Sequence, residues 1–236
     1  MTFLRTALAL TTALLAQAAS AGPVATSNDY LFQLGGFSLE SATVTTNRTQ
    51  GSIGAGQLQG TLTHDGVTSS FLTYCADIFQ PARTDQAYHY TLEATGSAKG
   101  FSNAQAELLG KLYTRAGEGV DTRDESVAFQ LAVWEIVTEA APILDLKTGS
   151  FQIKSGGTKA QRLLATEWLA DIARADAGNR FQAQRLYNDT VQDFVLFAAL
   201  PAPGLQATAS AVPEPAGWAL TGLALAGLLL SRRRRA

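Results

Sequence analysis

The chain has 236 residues, 46% of them hydrophobic, and its 18 basic and 20 acidic residues leave a formal net charge of −2. This balance excludes the strongly basic surface that nucleic-acid partners require. The single cysteine, Cys75, excludes an internal disulfide. The single cysteine suggests an intermolecular bond or a reactive thiol, and we expect partners other than nucleic acid.

Residues 1–21 have the three regions of a secretory signal peptide. Arg5 supplies the positive charge, Ala7 to Ala16 form a short apolar core, and Ala19-Ser20-Ala21 is a small-residue cleavage site before Gly22. The apolar core is shorter than the roughly 20 residues that span a bilayer. The pattern predicts export; the alternative is a buried N-terminal helix.

Short alternating segments predict antiparallel strands in residues 22–100. The Asp65-Gly66 pair between two of these segments is typical of a hairpin turn. The predicted strands are Phe37–Glu40, Thr43–Thr45, Gln57–Thr63, Val67–Tyr74 and Ala87–Leu92.

Three capping-box patterns predict helices between residues 101 and 190. Ser102 with Gln105 begins a helix to about Tyr113, and Thr122 with Glu125 begins one to about Thr138. Thr158 with Gln161 begins a third, which runs to about Ala175. The segment from Val191 to Phe197 returns to a strand pattern. The sequence thus predicts an α+β domain over residues 22–200, with a sheet-rich N-terminal half and a helical C-terminal half.

The C-terminal tail carries a second targeting pattern after a Pro- and Ala-rich linker at residues 201–212. Pro213-Glu214-Pro215 precedes an apolar stretch from Trp218 to Leu230, and four arginines, Arg232, Arg233, Arg234 and Arg235, follow it. A cationic cluster after an apolar stretch stays in the cytoplasm. In a helix, roughly 15 residues cover about 22 Å, short of the roughly 30 Å hydrocarbon core, so this transmembrane helix is a marginal anchor.

This tail resembles the PEP-CTERM sorting domain of Gram-negative bacteria, with the match confined to residues 213–236. The resemblance implies recognition by an exosortase, a membrane transpeptidase-like enzyme that removes the tail. It also implies an association with exopolysaccharide and biofilm. The expected localisation is the inner membrane before processing and the cell surface or extracellular space afterwards. The alternative is an ordinary C-terminal anchor.

Without the signal peptide and tail, 13 basic and 19 acidic residues remain. The rest of the chain is therefore acidic, with a net charge of about −6, which again argues against nucleic-acid partners.

Two internal segments contain residues that are candidates for a reactive site. Tyr74-Cys75 stands at the end of a predicted strand, and Gln130-Leu131-Ala132-Val133-Trp134 lies on the second predicted helix, followed by Glu135. Gln130 and Trp134 are four residues apart and therefore share a helix face. A glutamine in the middle of such an apolar helix must find hydrogen-bond partners if it is buried.

These segments resemble the thioester domains of bacterial surface proteins, which combine a Cys after an aromatic residue with a downstream Gln-x-Ala-(Ile/Val)-Trp. The resemblance covers about residues 70–140 and departs at Phe129, where that family often has Ser or Thr. It implies an internal thioester between Cys75 and Gln130, supported by Tyr74, Ala132, Trp134 and Glu135. A Cys thiol can displace ammonia from a Gln amide, and an amine on a partner can then attack the activated acyl group. The implied function is covalent attachment to a surface or matrix polymer or protein that carries amines.

Three alternatives remain open. Cys75 can be an unreactive core residue, with Gln130 bonded to backbone, in a non-covalent structural or binding module of the exopolysaccharide matrix. Cys75 can also pair with His64 or His89 as a hydrolase dyad.

The third alternative is a calcium site formed by Asp121, Asp124 and Glu125. Their spacing matches no calcium-binding loop, and they suit a helix N-terminus better. We expect a protein that is not an enzyme and has no cofactor or metal.

Overall fold

The computed structural model describes residues 27–139, 144–174 and 176–201. Within these ranges, no helix combines the length and the apolar character needed to cross a membrane. The predicted signal peptide, the sorting tail and residues 202–212 of the predicted linker lie outside the described residues.

The larger sheet is antiparallel, has six strands and nearly closes on itself. Its strand order is β5-β4-β1-β6-β8-β9. Closure comes from an antiparallel bridge between Cys75, just after β5, and Phe194, at the start of β9. The strands are β1 Asp29–Phe37, β4 Leu58–His64, β5 Val67–Thr73, β6 Ala87–Glu93, β8 Phe181–Tyr187 and β9 Phe194–Ala199.

The β4–β5 hairpin confirms the turn predicted at Asp65-Gly66. Both residues have positive φ, 48° and 77°, as the favoured two-residue hairpin turns require. The register follows directly, with His64 opposite Val67 at the turn and Leu58 opposite Thr73 at the far end. The hairpin therefore ends next to Tyr74 and Cys75.

A second, three-stranded sheet has the order β3-β2-β7. The strands are β2 Ala42–Thr46, β3 Ser52–Ala55 and β7 Ile153–Gly156. Strand β7 comes from far along the chain and pairs antiparallel with β2. The sheet therefore joins the two halves of the sequence.

All three predicted capping boxes are present, each with both reciprocal hydrogen bonds. They begin α1 (Asn103–Ala116), α2 (Arg123–Thr138) and α3 (Lys159–Ile172). A short 3₁₀ turn, Gly117–Gly119, follows α1. The helices pack on one another, α1 also against β8 and α2 against β3.

Helix α2 is the central helix of the described domain. Every residue from Ser126 to Ile136 is buried, as is typical of a helix enclosed on all sides. Three of these buried residues are polar: Ser126, Gln130 and Glu135. Each must be satisfied inside the protein, because burying an unpaired polar group costs free energy.

The structure differs from the sequence-based prediction in several places, and strands β1 and β3 were not predicted. The segment Phe37–Glu40 is not a strand: β1 ends at Phe37 and the chain then bends. The C-terminal half is not simply helical, since β7, β8 and β9 come from it. Strand β8 pairs with the adjacent β9 and with the distant β6, and no local pattern shows the pairing with β6.

Candidate functional site around Cys75 and Gln130

Cys75 lies where the large sheet closes. The Val195 N–H donates to the Tyr74 carbonyl at 3.1 Å, and the Ala76 N–H donates to the Asp193 carbonyl at 2.8 Å. The Thr73 hydroxyl adds a bond to the Val195 carbonyl at 2.8 Å. These contacts hold the backbone on both sides of Cys75 against β9.

Gln130 of α2 completes the hydrogen bonding of the Cys75 backbone. The Cys75 N–H donates to Gln130 Oε1 at 2.9 Å. In return, Gln130 Nε2 donates to the Cys75 carbonyl at 3.0 Å. Gln130 is fully buried, so these two bonds fix its carboxamide against the cysteine residue. The structure thus brings together the two residues that the sequence motif singled out.

The Cys75 thiol lies in an almost dry environment, since the residue keeps only 8% of its exposure. Burial, assisted by the negative charge of Asp77, raises the pKa of this thiol to about 12. A thiol with such a pKa is almost wholly protonated at neutral pH. As a free thiol, Cys75 is therefore a slow nucleophile toward reagents from solvent.

Tyr74 packs beside the site and links three elements. Its ring centroid lies 4.3 Å from that of Phe129 on α2, and its hydroxyl accepts a hydrogen bond from Gln57 Nε2 at 3.0 Å. The Gln57 N–H in turn donates to the Ser126 hydroxyl at 2.7 Å. This buried network ties the start of β4 and the end of β5 to α2, which sets the position of Gln130 relative to Cys75.

A cavity of about 360 Å³ adjoins Cys75. Leu34, Phe37, Ile53 and Leu58 give it apolar walls, and Trp134, one helical turn beyond Gln130 on α2, also lines it. Trp134 is only 2% exposed. None of the described residues that line the cavity carries a charge.

The two remaining motif residues, Ala132 and Glu135, do not line the cavity. Ala132 is fully buried within α2. Glu135 is also buried, but it does not line the cavity beside Cys75. Its Oε1 accepts a hydrogen bond from the Asp145 N–H at 2.8 Å, and its Oε2 has no partner among the described residues. The structure therefore assigns Glu135 to holding the segment after α2.

Glu135→Gln is expected to make the protein more stable at pH 8. Burial, together with the nearby acidic residues Glu139 and Asp145, raises the pKa of Glu135 from 4.5 to about 7. A raised carboxyl pKa means that the folded state binds the proton more tightly, so wild-type stability falls as the pH rises from about 4.5 to 7. The neutral glutamine removes this loss, and the free energy of unfolding at pH 8 should increase by roughly 1–3 kcal/mol.

Urea denaturation at pH 4.5 and pH 8 measures this effect. The gain should nearly vanish at pH 4.5, where Glu135 is protonated in the folded protein. Glu40→Gln is a matched control, because the Glu40 side chain is 84% exposed and its charge stays in water. An equal effect of both variants, or a gain that does not depend on pH, contradicts the assignment.

Neither histidine forms a dyad with Cys75. His64 lies at the turn end of β4, six residues from Leu58, which is about 20 Å along a strand. Its Nε2 bonds to the Ser27 carbonyl at 2.6 Å. The His89 ring is 72% exposed and pairs with Asp29 at 3.1 Å. The hydrolase alternative therefore lacks a histidine at the thiol.

The acidic residues near the start of α2 serve the fold. Glu125 accepts hydrogen bonds from the backbone of Asp121 and from both the backbone and hydroxyl of Thr122. These bonds, the Thr122 hydroxyl foremost, lower the pKa of Glu125. Asp124 accepts a bond from Gln161 of α3 at 2.7 Å. Across the described ranges, no group of three or more His, Cys, Asp or Glu side chains is placed to hold a metal ion.

Comparison of the chain with protein-family models, with curated proteins and with solved structures gives no match. Sequence reasoning missed Gln57, Gln80 and Phe194, which border or support the site from separate elements. No local pattern marks these residues, because their roles arise only from the closure of the sheet.

Proposed function

We propose that this protein is an exported surface or matrix protein in which Cys75 and Gln130 form an internal thioester. Its function is then covalent attachment to a partner that carries amines. The paired hydrogen bonds between the Cys75 backbone and the Gln130 carboxamide are the observation that carries this proposal. They hold the acyl carbon of Gln130 next to the residue that bears the thiol, and such positioning supplies a high effective molarity.

The bond-forming step follows from these contacts. Cys75 Sγ attacks Gln130 Cδ, the Cδ–Nε2 bond breaks, and the thiol proton leaves with the nitrogen as ammonia. The Cys75 N–H already donates to Gln130 Oε1, so it also stabilises the negative charge that develops on this oxygen. The high thiol pKa makes this step slow. A slow step is sufficient, because each molecule forms the bond only once.

The attachment step uses the same residues. A free-base amine of the partner attacks Gln130 Cδ, the carbon–sulfur bond breaks, and an amine proton passes to Cys75 Sγ. The products are an amide between Gln130 and the partner and a free Cys75 thiol. Burial of Gln130, which has no exposed surface, limits the access of water to the acyl group until the partner arrives.

A non-covalent structural or binding module is the second candidate function. The same two hydrogen bonds favour it, because they satisfy all the backbone groups of Cys75 that the sheet leaves free. The unreactive thiol also suits this role. Intact mass separates the candidates, since a thioester releases ammonia and a non-covalent module keeps the full mass of its sequence.

We further propose that exosortase-type processing brings the protein to the cell surface. Changing Arg232–Arg235 to neutral residues, or Pro213 and Pro215 to Ala, is expected to trap the full-length chain in the inner membrane. Without the arginines the tail lacks the charge that orients it toward the processing enzyme, and without the prolines it lacks the recognition element, so in both cases the tail stays uncleaved. Fractionation with an antibody to residues 22–200 measures this. Normal release of both variants, at wild-type size, contradicts the proposal.

A further inference from the structure

Two side chains that line the cavity beside Cys75 each carry a buried polar atom without a partner among the described residues. Trp134 Nε1 and Gln80 Oε1 have no hydrogen-bond partner among the described residues, and both side chains line this cavity. Leaving a buried donor or acceptor unpaired costs about 1–3 kcal/mol, so such atoms are rare in folded proteins. Both atoms belong to side chains that line one cavity, so a ligand in that cavity is the candidate partner for both.

The two atoms have complementary chemistry. The indole N–H of Trp134 can only donate, and the Gln80 oxygen can only accept. Gln80 is oriented for this role, because its Nε2 donates to the Asn188 carbonyl at 3.2 Å and leaves Oε1 for another partner. A group that satisfies both atoms must accept one hydrogen bond and donate another.

The uncharged lining of the cavity limits which ligand groups can bind there. The described residues that line the cavity include no acidic side chain. An ammonium group entering it would lose its hydration without gaining a counter-ion. An ammonium also has no lone pair with which to accept from Trp134. A hydroxyl or a free-base amine carries no charge and both donates and accepts.

We propose that this cavity is an acceptor subsite that takes an uncharged aliphatic group ending in a hydroxyl or a free-base amine. Trp134 and Gln80 hold the polar end, and the apolar walls formed by Leu34, Ile53 and Leu58 hold the chain. The role of this subsite, which is to deliver a partner's nucleophile to Gln130, rests on the proposed thioester. Ligand binding to the cavity does not require the thioester.

Binding is tested first in the Cys75→Ala protein, which cannot form the bond. The ¹⁵N indole resonance of Trp134, assigned by its loss in Trp134→Phe, reports directly on the N–H. We expect 1-butanol to shift this resonance, and butylammonium at pH 7 to leave it unchanged. Gln80→Glu introduces a carboxylate at the cavity and should allow butylammonium to bind at pH 8. No shift with 1-butanol, or equal binding of both probes, overturns the subsite.

The reactive protein provides the second measurement. At a pH where butylamine is partly free base, Trp134→Phe should slow thioester opening by the amine about three- to tenfold, the effect of losing one ordinary hydrogen bond. Trp168→Phe is the matched control, because Trp168 is similarly buried but does not line the cavity; its rate should equal that of the wild type. Equal slowing in both variants overturns the role of Trp134.

Failure of the subsite is distinguishable from failure of the thioester. A protein of full sequence mass that still binds 1-butanol at Trp134 retains the subsite and loses the covalent function. A protein that lacks the mass of ammonia, but whose Trp134 resonance and Trp134→Phe kinetics do not respond, retains the thioester and loses the subsite.

Discussion

The purified protein is expected to weigh about 17 Da less than its processed sequence, because thioester formation between Cys75 and Gln130 releases ammonia. The Cys75 thiol should resist alkylation in denaturant until an amine is added. Methylamine should then add its mass at Gln130 and expose the thiol. Mass spectrometry of the intact protein and of the peptides that contain the two residues measures each change.

The variants Cys75→Ala and Gln130→Ala serve as controls for the bond. Each lacks one half of the pair, so each should have its full sequence mass and show no response to methylamine. Gln130→Ala leaves the Cys75 N–H and carbonyl without their present partners, which costs about 1–3 kcal/mol for each buried group. Wild-type protein with full sequence mass and a Cys75 that alkylates freely on unfolding would favour the non-covalent module.

Phe194→Ala is expected to lower the free energy of unfolding by about 3–5 kcal/mol, the usual cost of removing a buried aromatic ring. Phe194 is 1% exposed, and its ring contacts those of Phe32 at 4.9 Å and Tyr90 at 5.5 Å. Its backbone also bridges Cys75 where the sheet closes. The variant should therefore lose thioester yield together with stability, as urea denaturation and intact mass measure.

Leu72→Ala is the matched control on β5, because Leu72 is 56% exposed. Its truncation should change the free energy of unfolding by less than about 1 kcal/mol and leave the thioester yield unchanged. A similar cost for both variants would mean that the buried Phe194 ring is not a main source of stability.

Local sequence patterns predicted the elements whose signals are local. The capping boxes at Ser102, Thr122 and Thr158 place a side chain within three residues of the backbone group it binds, so short spacing is sufficient to find them. The Asp65-Gly66 turn is similar, since its positive φ angles restrict the residue types. Elements with such signals appear where the sequence predicted them.

Strands that are very short or that depend on distant partners were missed or misplaced. Strand β7 pairs with β2 across more than half of the described chain, and β3 has only four residues. Strand β8 follows directly on a helical region and is held by pairing with β6 and β9. Pairing energy in a sheet comes from cross-strand neighbours, which a local window does not contain.

By itself, the sequence determined the α+β class, the three helix starts, the central hairpin and the candidate pair Cys75 and Gln130. These follow from spacing, since caps, turns and a motif are read over a few residues. Only the tertiary structure decided that Gln130 binds the Cys75 backbone, that both histidines lie away from the thiol, and that Glu135 supports a neighbouring segment. It also decided that Trp134 and Gln80 share one uncharged cavity. The physical reason is that hydrogen bonds, burial and raised pKa values depend on neighbouring groups. Those neighbours come together only when β5 closes onto β9 over α2.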